Sequence, residues 1–200
     1  YIWPEEKIYW GEFNNNKFNG FGSLMYPPGM YYSGYFKDNY FDGKGAIHSY
    51  TKNISWVGEL KEGKRINEIS IPKGSFKYIV TLCKDAVPIN CYFKKKINNV
   101  YYYGRYNNRH FNGLGSSISI YDKYLGQHKN DIREGFGTLH WVGESKESSG
   151  FYVGEFKKNM FNGFGIIQFG DGFIYTGTFV TDKMNGDGIC FLKGSTGKAI

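Results

Sequence analysis

An internal repeat of roughly 20 to 25 residues constrains this chain more than any other feature of its sequence. In the clearest copies, the pattern Tyr-x-Gly-x-aromatic is followed by a second aromatic residue and then by Gly-x-Gly, although Met184 replaces the second aromatic residue in the last copy. The first copy spans residues 9–22, and copies with closely similar offsets begin at residues 32, 102, 152 and 175. A repeat of this length corresponds to one supersecondary unit, so similar units must stack on one another.

Three further copies depart from this template. The copy that begins at Tyr124 keeps its glycines, but His128 replaces the aromatic residue of the first strand and Arg133 replaces the second aromatic residue. The copy at 56–69 lacks the paired glycines, and the copy at 78–91 fits by spacing alone. The full array therefore has about eight repeats.

These repeats predict one array over residues 1–200. Its parts are regular repeats at 9–50, decayed repeats at 56–98 and regular or near-regular repeats at 102–192. Because the sequence begins with Tyr and not with Met, we expect it to be a fragment of a longer protein. Three cysteines without a Cys-x-x-Cys pair argue against a disulfide framework, which favours a reducing compartment.

Each repeat has the pattern of a β-hairpin, in which two short segments with alternating apolar residues flank a polar turn such as residues 14–17. The 18 Tyr, 17 Phe and 28 Gly residues favour strands over helices. A single hairpin is marginally stable in water, so each hairpin needs its neighbour. The sequence thus predicts an all-β fold, an elongated single-layer twisted antiparallel sheet built from about eight hairpins.

The glycines are predicted to make room for aromatic rings. A ring on one strand can lie over a glycine on the next strand, which buries the ring and covers the backbone. On this basis Tyr9, Phe13, Tyr32 and Phe36 belong to the core, and Gly163→Val would displace a facing ring at a cost of ~1–3 kcal/mol. The predicted structural glycines are Gly11, Gly20, Gly22, Gly34, Gly43, Gly45, Gly104, Gly113, Gly115, Gly154, Gly163, Gly165, Gly177, Gly186 and Gly188.

The pattern Tyr-x-Gly-x-aromatic followed by Gly-x-Gly closely resembles the MORN (membrane occupation and recognition nexus) repeat, and the resemblance covers nearly the whole chain. MORN arrays are known as docking platforms in cytoskeletal, ciliary and membrane-junction proteins and as appendages of lipid kinases and lysine methyltransferases. The resemblance therefore implies a protein partner, either a helix or an extended peptide, on the sheet face.

Motifs for catalysis or for cofactor and metal binding fail on inspection. Residues 194–199 imitate the end of a phosphate-binding loop, but Leu192 stands at a required glycine position and Ala199 at the required Ser or Thr. The four histidines lack the paired spacing of a metal site. We predict no catalytic residue, no cofactor and no metal, and the absence of an RNA-binding motif argues against nucleic acid as a partner.

The net charge of +7 and the pI near 9.1 favour an acidic partner or surface. Basic residues recur in the turns between the two strands of a repeat, and these turns should line up along one edge. Such an edge suits either an anionic membrane or a solvated rim, because acidic residues lie between the basic ones. The residues of this predicted lipid edge are Lys37, Lys61, Lys64, Arg65, Arg109, Lys157, Lys158 and Lys183.

A second candidate surface consists of the residues between the paired glycines. Several repeats hold an apolar residue there, whereas Lys44 and Asp187 occupy the same position in two others, and this variability indicates exposure. The apolar residues predicted to contact a partner are Phe21, Leu114, Phe136 and Phe164.

The leading hypothesis is a non-catalytic scaffold that docks a protein partner at a cytoskeletal or membrane-associated structure, in the cytoplasm or on the cytoplasmic face of a membrane. Two alternatives stay open. One is the regulatory arm of a multidomain enzyme of the lipid kinase or lysine methyltransferase type, and the other is direct binding of anionic phospholipids. Exposed strands at the ends of the array also predict a homodimer that pairs through the terminal repeats.

Overall fold

The computed structural model describes residues 7–26, 29–49, 54–71, 92–97, 99–107 and 109–192. Within these ranges the chain consists of antiparallel strands and their connections, and none of it is helical. The prediction of an all-β fold built from antiparallel hairpins is therefore confirmed.

The strands form two sheets in which sequence neighbours are also sheet neighbours. The six strands of sheet 1 are β1 (Ile8–Asn14), β2 (Lys17–Tyr26), β3 (Met30–Lys37), β4 (Tyr40–Ser49), β5 (Ile54–Lys61) and β6 (Lys64–Ile71). The nine strands of sheet 2 are β7 (Tyr92–Ile97), β8 (Val100–Asn107), β9 (His110–Ile118), β10 (Asp122–Lys129), β11 (Ile132–Trp141), β12 (Gly150–Lys157), β13 (Met160–Phe169), β14 (Ile174–Val180) and β15 (Lys183–Phe191).

Tight two-residue turns join the two strands of a repeat. Both central residues have positive φ, as at Asp38 (50°) and Asn39 (71°). This is the type I′ geometry, which matches the twist of hairpin strands and favours Asn, Asp and Gly. The polar residues at the predicted turns therefore suit the positive φ angles of the turn as well as contact with solvent.

Four of these turns are also bonded twice to the repeat before them. Asn159 donates its backbone N–H to the carbonyl of Arg133 (3.0 Å), and its Oδ1 accepts the backbone N–H of Arg133 (2.8 Å). The same two bonds join Asn39 to Phe18, Asp131 to Phe111, and Asp182 to Phe161. These bonds hold successive repeats in register at the turn end of each sheet.

The glycines of one repeat are required for different reasons. A Cβ on Gly22 would lie 2.6 Å from the Tyr9 hydroxyl, so the tyrosine ring lies over this glycine as predicted. A Cβ on Gly11 would lie 2.5 Å from the Cα of Gly22, so the two strands approach too closely for a side chain. Gly20 instead has a φ of 72°, which L residues rarely adopt.

Gly163 occupies the same position in its repeat as Gly20 does in the first repeat. Its φ is 61°, and the side chain beside it is that of Glu155 and not an aromatic ring. The predicted reason for damage by Gly163→Val is therefore wrong. Backbone geometry requires this glycine, whereas the ring of Tyr152 lies over Gly165.

The two sheets pack face to face. Strands β2, β3, β4 and β5 lie across from β13, β12, β11 and β10. The hydroxyl of Tyr31 donates to Oε1 of Gln168 (2.8 Å), and the hydroxyl of Ser33 donates to the carbonyl of Phe164 (3.1 Å). The sequence predicted one elongated layer, whereas the structure has two single layers stacked as a sandwich.

This stacking follows from an apolar surface on both faces of each sheet. The ring face carries the repeat tyrosines, and the inner face is the one that contacts the opposite sheet. An apolar sheet face is stable only when another layer covers it. The buried residues of the inner faces are Tyr31, Ala46, Val57, Leu125, Phe136, Phe151, Val153 and Ile166.

The predicted core rings lie on the ring face. Tyr9, Tyr32 and Phe36 are buried there, which confirms their assignment to the core. Phe13 is 50% exposed, because it lies on the edge strand β1, where the described residues add no ring beyond Tyr9 and Phe18.

The structure describes one of the two decayed repeats. The copy at 56–69 still forms the hairpin β5–β6 without its paired glycines, with the register shift between Glu59 and Leu60. The copy at 78–91 lies outside the described residues. The hairpin therefore does not depend on the Gly-x-Gly pair where the tight turn is kept.

Candidate functional site: a polar cleft and an apolar patch at one repeat

A column of aromatic rings runs along the ring face of each sheet. In the regular repeat β12–β13, Tyr152 stacks on Phe161 with ring centroids 3.9 Å apart and meets the edges of Phe156 (5.2 Å) and Phe179 (5.1 Å). The Tyr152 hydroxyl donates to the carbonyl of Glu155 (3.0 Å). In a regular repeat, rings of the same repeat and of the next one thus cover the tyrosine.

The repeat β10–β11 replaces two rings of this column with polar side chains. The guanidinium of Arg133 lies over the ring of Tyr124, 4.9 Å from its centroid, where Phe161 stacks in the next repeat. The ring of His128 packs on Tyr124 at a centroid distance of 5.0 Å, as Phe156 packs on Tyr152 in the next repeat. The backbone of the repeat is unchanged, because its glycines and its turn are kept.

A cleft of about 660 Å³ opens beside these two polar side chains. Arg133 forms an ion pair with Asp122 (2.6 Å), and this pair lies in the cleft wall. The remaining lining residues are Asn99, Val100, Tyr102, Ser117, Ser119, Ile120, Tyr121, His128, Asp131 and Asn159. The cleft therefore combines polar side chains with tyrosine rings.

His128 is the most unusual group in this cleft. It is buried, and its Nε2 has no hydrogen-bond partner in the part of the chain that the structure describes. Burial and, to a smaller extent, the charge of Arg133 lower its pKa to about 4, so the ring is neutral at pH 7. A buried nitrogen without a partner costs free energy that a bound hydroxyl or water would recover.

An exposed apolar patch lies at the rim of the cleft. Its residues, Ile120, Tyr121 and Val142, are 76%, 69% and 67% exposed. They lie together because the backbone N–H of Val142 donates to the carbonyl of Tyr121 (2.8 Å) at the end of β10–β11. The sequence analysis missed this patch, although the insertion after residue 141 was a signal that this repeat differs from the others.

The four residues predicted to contact a partner lie on the inner faces. Phe21 stacks on Phe136 at 5.1 Å and lies 5.3 Å from Phe164, so these rings meet across the two sheets. Leu114 also packs on this core. The predicted exposure is wrong for Phe136, which is 5% exposed. Phe21, Leu114 and Phe164 are half-buried, and of these Phe21 and Phe164 contact rings of the opposite sheet.

The variability that suggested exposure has a structural explanation at one end of the array. Asp187 lies in β15, and β15 lies past the edge of sheet 1, because the edge strand β1 packs on β14. A polar residue is tolerated at this position because Asp187 is exposed to solvent.

The predicted lipid edge is exposed at all eight positions. The turns of both sheets lie at the same end of the sandwich, because Phe21 and Tyr35, near the turns of sheet 1, contact Phe136, near a turn of sheet 2. Acidic side chains lie among the basic ones at this end. Lys17, for example, pairs with Asp38 at 3.1 Å. The edge is therefore of mixed charge.

The opposite end of the sandwich holds a pair of histidines, of which His48 is buried and His140 is half-buried. Ser55 lies between them, with its hydroxyl 3.1 Å from Nδ1 of His48 and 3.2 Å from Nε2 of His140. The two histidine rings are 4.5 Å apart. Burial lowers the pKa of His48 to about 3, with a contribution from His140, and lowers that of His140 to about 4. Both rings are neutral at pH 7.

Within the described ranges, His, Cys, Asp and Glu side chains form no cluster of three that would suit a metal ion. In the same part of the chain no helix is long and apolar enough to cross a membrane.

Comparison with known families agrees with this repeat architecture. Four segments match the family described as MORN repeat, at residues 9–31, 32–51, 124–145 and 152–173. These segments contain hairpins from both sheets and include the repeat with the polar cleft. No curated protein matches the chain. The chain is a MORN-repeat protein.

Proposed function

We propose that this chain is a non-catalytic scaffold that docks a protein partner, and that the apolar patch of Ile120, Tyr121 and Val142 is the contact surface. The observation that carries the proposal is the exposure of these three neighbouring side chains, each above 65%. Contiguous exposed apolar groups on a folded surface favour a binding role.

The other apolar surfaces of the described chain are largely used within the molecule. The inner faces bury each other, and the repeat tyrosines on the ring faces are covered by their own phenylalanines. A partner that offers an apolar helix face or an extended segment would cover the patch and contact the adjoining cleft. Anchoring at a cytoskeletal or membrane-associated structure is part of this proposal and rests on the family. The same patch would serve if the array were the regulatory arm of an enzyme.

The test is a quantitative pull-down with the purified chain as bait. The patch variant carries Ile120→Ser, Tyr121→Ser and Val142→Ser. A control variant carries Phe13→Ser and Val180→Ser, which remove apolar groups that are 50% and 49% exposed elsewhere. We expect a partner that the wild type and the control retain and that the patch variant loses by at least about tenfold. Equal retention by all three proteins would reject the patch as the contact surface.

The lipid edge supports a second candidate function, the binding of anionic phospholipid. The supporting observation is that the turns of both sheets emerge at one end, which brings basic side chains of two sheets onto a single surface. Each basic residue near an anionic membrane contributes about 1 kcal/mol. Flotation with vesicles that contain phosphatidylserine, compared with the variant Lys157→Glu with Lys158→Glu, tests this function. Salt-insensitive binding, or binding that this variant retains, would contradict it.

A further inference from the structure

We propose that Asn185 is a site of spontaneous deamidation, and that the fold directs this modification to the last repeat while it protects the same Asn-Gly pair in three earlier repeats. The sequence holds four Asn-Gly pairs, which begin at Asn19, Asn112, Asn162 and Asn185. The inference goes beyond the docking of a protein partner and does not depend on it. It rests on exposure, on strand pairing and on the bonds between repeats.

Deamidation of an Asn-Gly pair needs only water as a co-reactant. The backbone nitrogen of the glycine attacks Cγ of the asparagine, the bond from Cγ to the amide nitrogen breaks, and that nitrogen leaves as ammonia with the proton of the glycine N–H. Water then opens the cyclic imide at one of its two carbonyls, which leaves either aspartate or isoaspartate. Glycine favours the attack because it has no Cβ to hinder its nitrogen. The asparagine side chain and the glycine backbone must therefore both be free to move.

Exposure separates the last pair from the other three. Asn185 and Gly186 are both exposed, whereas Asn19, Asn112 and Asn162 are half-buried. The glycines of all four pairs have similar φ values, between 61° and 78°, so their backbone angles do not distinguish them. The side-chain rotation and the water that the reaction needs are thus available at Asn185 in the folded chain.

Strand pairing holds the glycine in the three earlier repeats. There it is paired with a residue of the following strand, at Gly20–Phe36, Gly113–His128 and Gly163–Phe179. Among the described residues β15 pairs only with β14, and the register shift after Gly177 leaves Gly186 without a paired residue. A backbone segment that is unpaired on an edge strand opens at a lower free energy than one inside a sheet.

The turn of the next repeat also bonds the side chain at the asparagine position. Oδ1 of Asn112 accepts the backbone N–H of Asn130 (3.0 Å), which lies in that turn. Carboxylates at the same position in two other repeats accept a turn N–H in the same way, Asp42 from Glu62 (3.2 Å) and Glu134 from Lys158 (2.9 Å). No turn follows β15 in the described part of the chain, so Asn185 lacks this constraint there.

The wild-type chain tests the proposal, because its other Asn-Gly pairs are internal controls. The folded protein is incubated at neutral pH in water enriched in heavy oxygen and then digested in ordinary water, and its peptides are mapped by mass spectrometry over time. The oxygen label separates deamidation of the folded chain from deamidation during digestion. We expect Asn185 to deamidate at least about tenfold faster than the other three asparagines, because the rate follows the population of the open form.

The same measurement on the chain unfolded in urea controls for sequence context. Each of the four pairs follows an apolar residue, so their rates in urea should agree within about threefold. A rate at Asn185 that does not exceed those of the half-buried asparagines in the folded chain would overturn the proposal. An equal lead of Asn185 in urea would also overturn it, because the fold would then not set the difference.

The two products should change the last repeat differently. Isoaspartate adds a methylene to the backbone of β15 and should disrupt the pairing of residue 185 with Thr178, whereas aspartate only adds a negative charge. The variant Asn185→Asp supplies that charge without the methylene. We expect amide hydrogen exchange in β14 and β15 to be faster in the isoaspartate fraction than in Asn185→Asp. Equal exchange in the two proteins would contradict this placement of Asn185 in a paired strand.

Discussion

The ring face and the inner face of each sheet are both apolar, but different kinds of contact build them. On the ring face, Tyr9 stacks on Phe18 within its own repeat and meets Phe36 in the next one. On the inner face, Tyr31 bonds to Gln168, which is 137 residues away in the sequence. Contacts on the ring face stabilise each repeat by packing it on the next repeat. Contacts on the inner face join the two sheets.

The two faces therefore contribute to stability in different ways. Nearest-neighbour packing makes stability a sum over repeats. Packing across the sandwich adds contacts that exist only when both sheets are formed, and so it makes the two sheets depend on each other. Changes on the inner face should therefore affect both sheets, whereas changes on the ring face should begin locally.

Acidification should have the largest effect, and it acts mainly on the inner face. The pKa values of His48, His140 and His128 are lowered to about 3, 4 and 4, below the value of about 6.5 in an unfolded chain. As the pH falls below 6.5, the unfolded chain takes up protons that the folded chain does not, so stability falls. The limiting slope is about 1.4 kcal/mol per pH unit for each histidine.

Urea unfolding between pH 7 and pH 4 measures this loss. The variant His48→Gln removes one titrating group, so its free energy of unfolding should depend less on pH than that of the wild type. An identical pH dependence in both proteins would show that His48 is not buried as the neutral ring.

Phe136→Ala should destabilise the chain by ~3–4 kcal/mol, because it removes a buried ring from between the two sheets. Phe13→Ala removes the same group from an exposed edge and should cost less than ~1 kcal/mol. Chemical denaturation gives both values. Similar costs for the two variants would contradict the assignment of Phe136 to a buried interface.

Gly22→Ala tests the ring face. The new Cβ would overlap the Tyr9 ring and displace it, with an expected cost of ~2–3 kcal/mol. Gly63→Ala is the matched control, because its Cβ meets open space and only its φ of 75° opposes the change, at ~1 kcal/mol. If thermal denaturation ranks Gly63→Ala as the more damaging variant, ring packing on glycine does not explain the motif.

Asn159→Ala should have the smallest of these effects, ~1 kcal/mol, because it removes the Oδ1 that accepts the backbone N–H of Arg133. Lys158→Ala changes the neighbouring exposed residue of the same turn and should change stability by less than ~0.5 kcal/mol. Amide hydrogen exchange at Arg133 would report the loss directly. Unchanged exchange in Asn159→Ala would contradict the bond between repeats.

The ring face could be predicted from the sequence because its contacts recur at fixed short offsets. The offset from Tyr9 to Gly22 is repeated in every good copy, so the pairing of ring and glycine is visible without a structure. The glycine with positive φ was assigned the wrong reason, because a pattern shows that glycine is needed but not whether space or backbone geometry requires it.

The inner face could not be predicted in the same way. No offset relates Phe21 to Phe136, and the periodic pattern alone does not show which face of one half meets the other. The candidate site could be predicted only in part, for the same reason. His128 and Arg133 were visible as departures from the template, but the cleft and the patch depend on how neighbouring strands end around them.

The most direct test of the face-to-face packing is a nuclear Overhauser measurement between the rings of Phe21 and Phe136. The protein for this measurement carries isotope-labelled phenylalanine. The account predicts cross-peaks between these rings, whose centroids are 5.1 Å apart, and their loss in Phe136→Ala. Cross-peaks confined to rings of adjacent repeats, with none between the two sheets, would contradict the face-to-face sandwich. The array would then be one extended layer with Phe21 free to contact a partner.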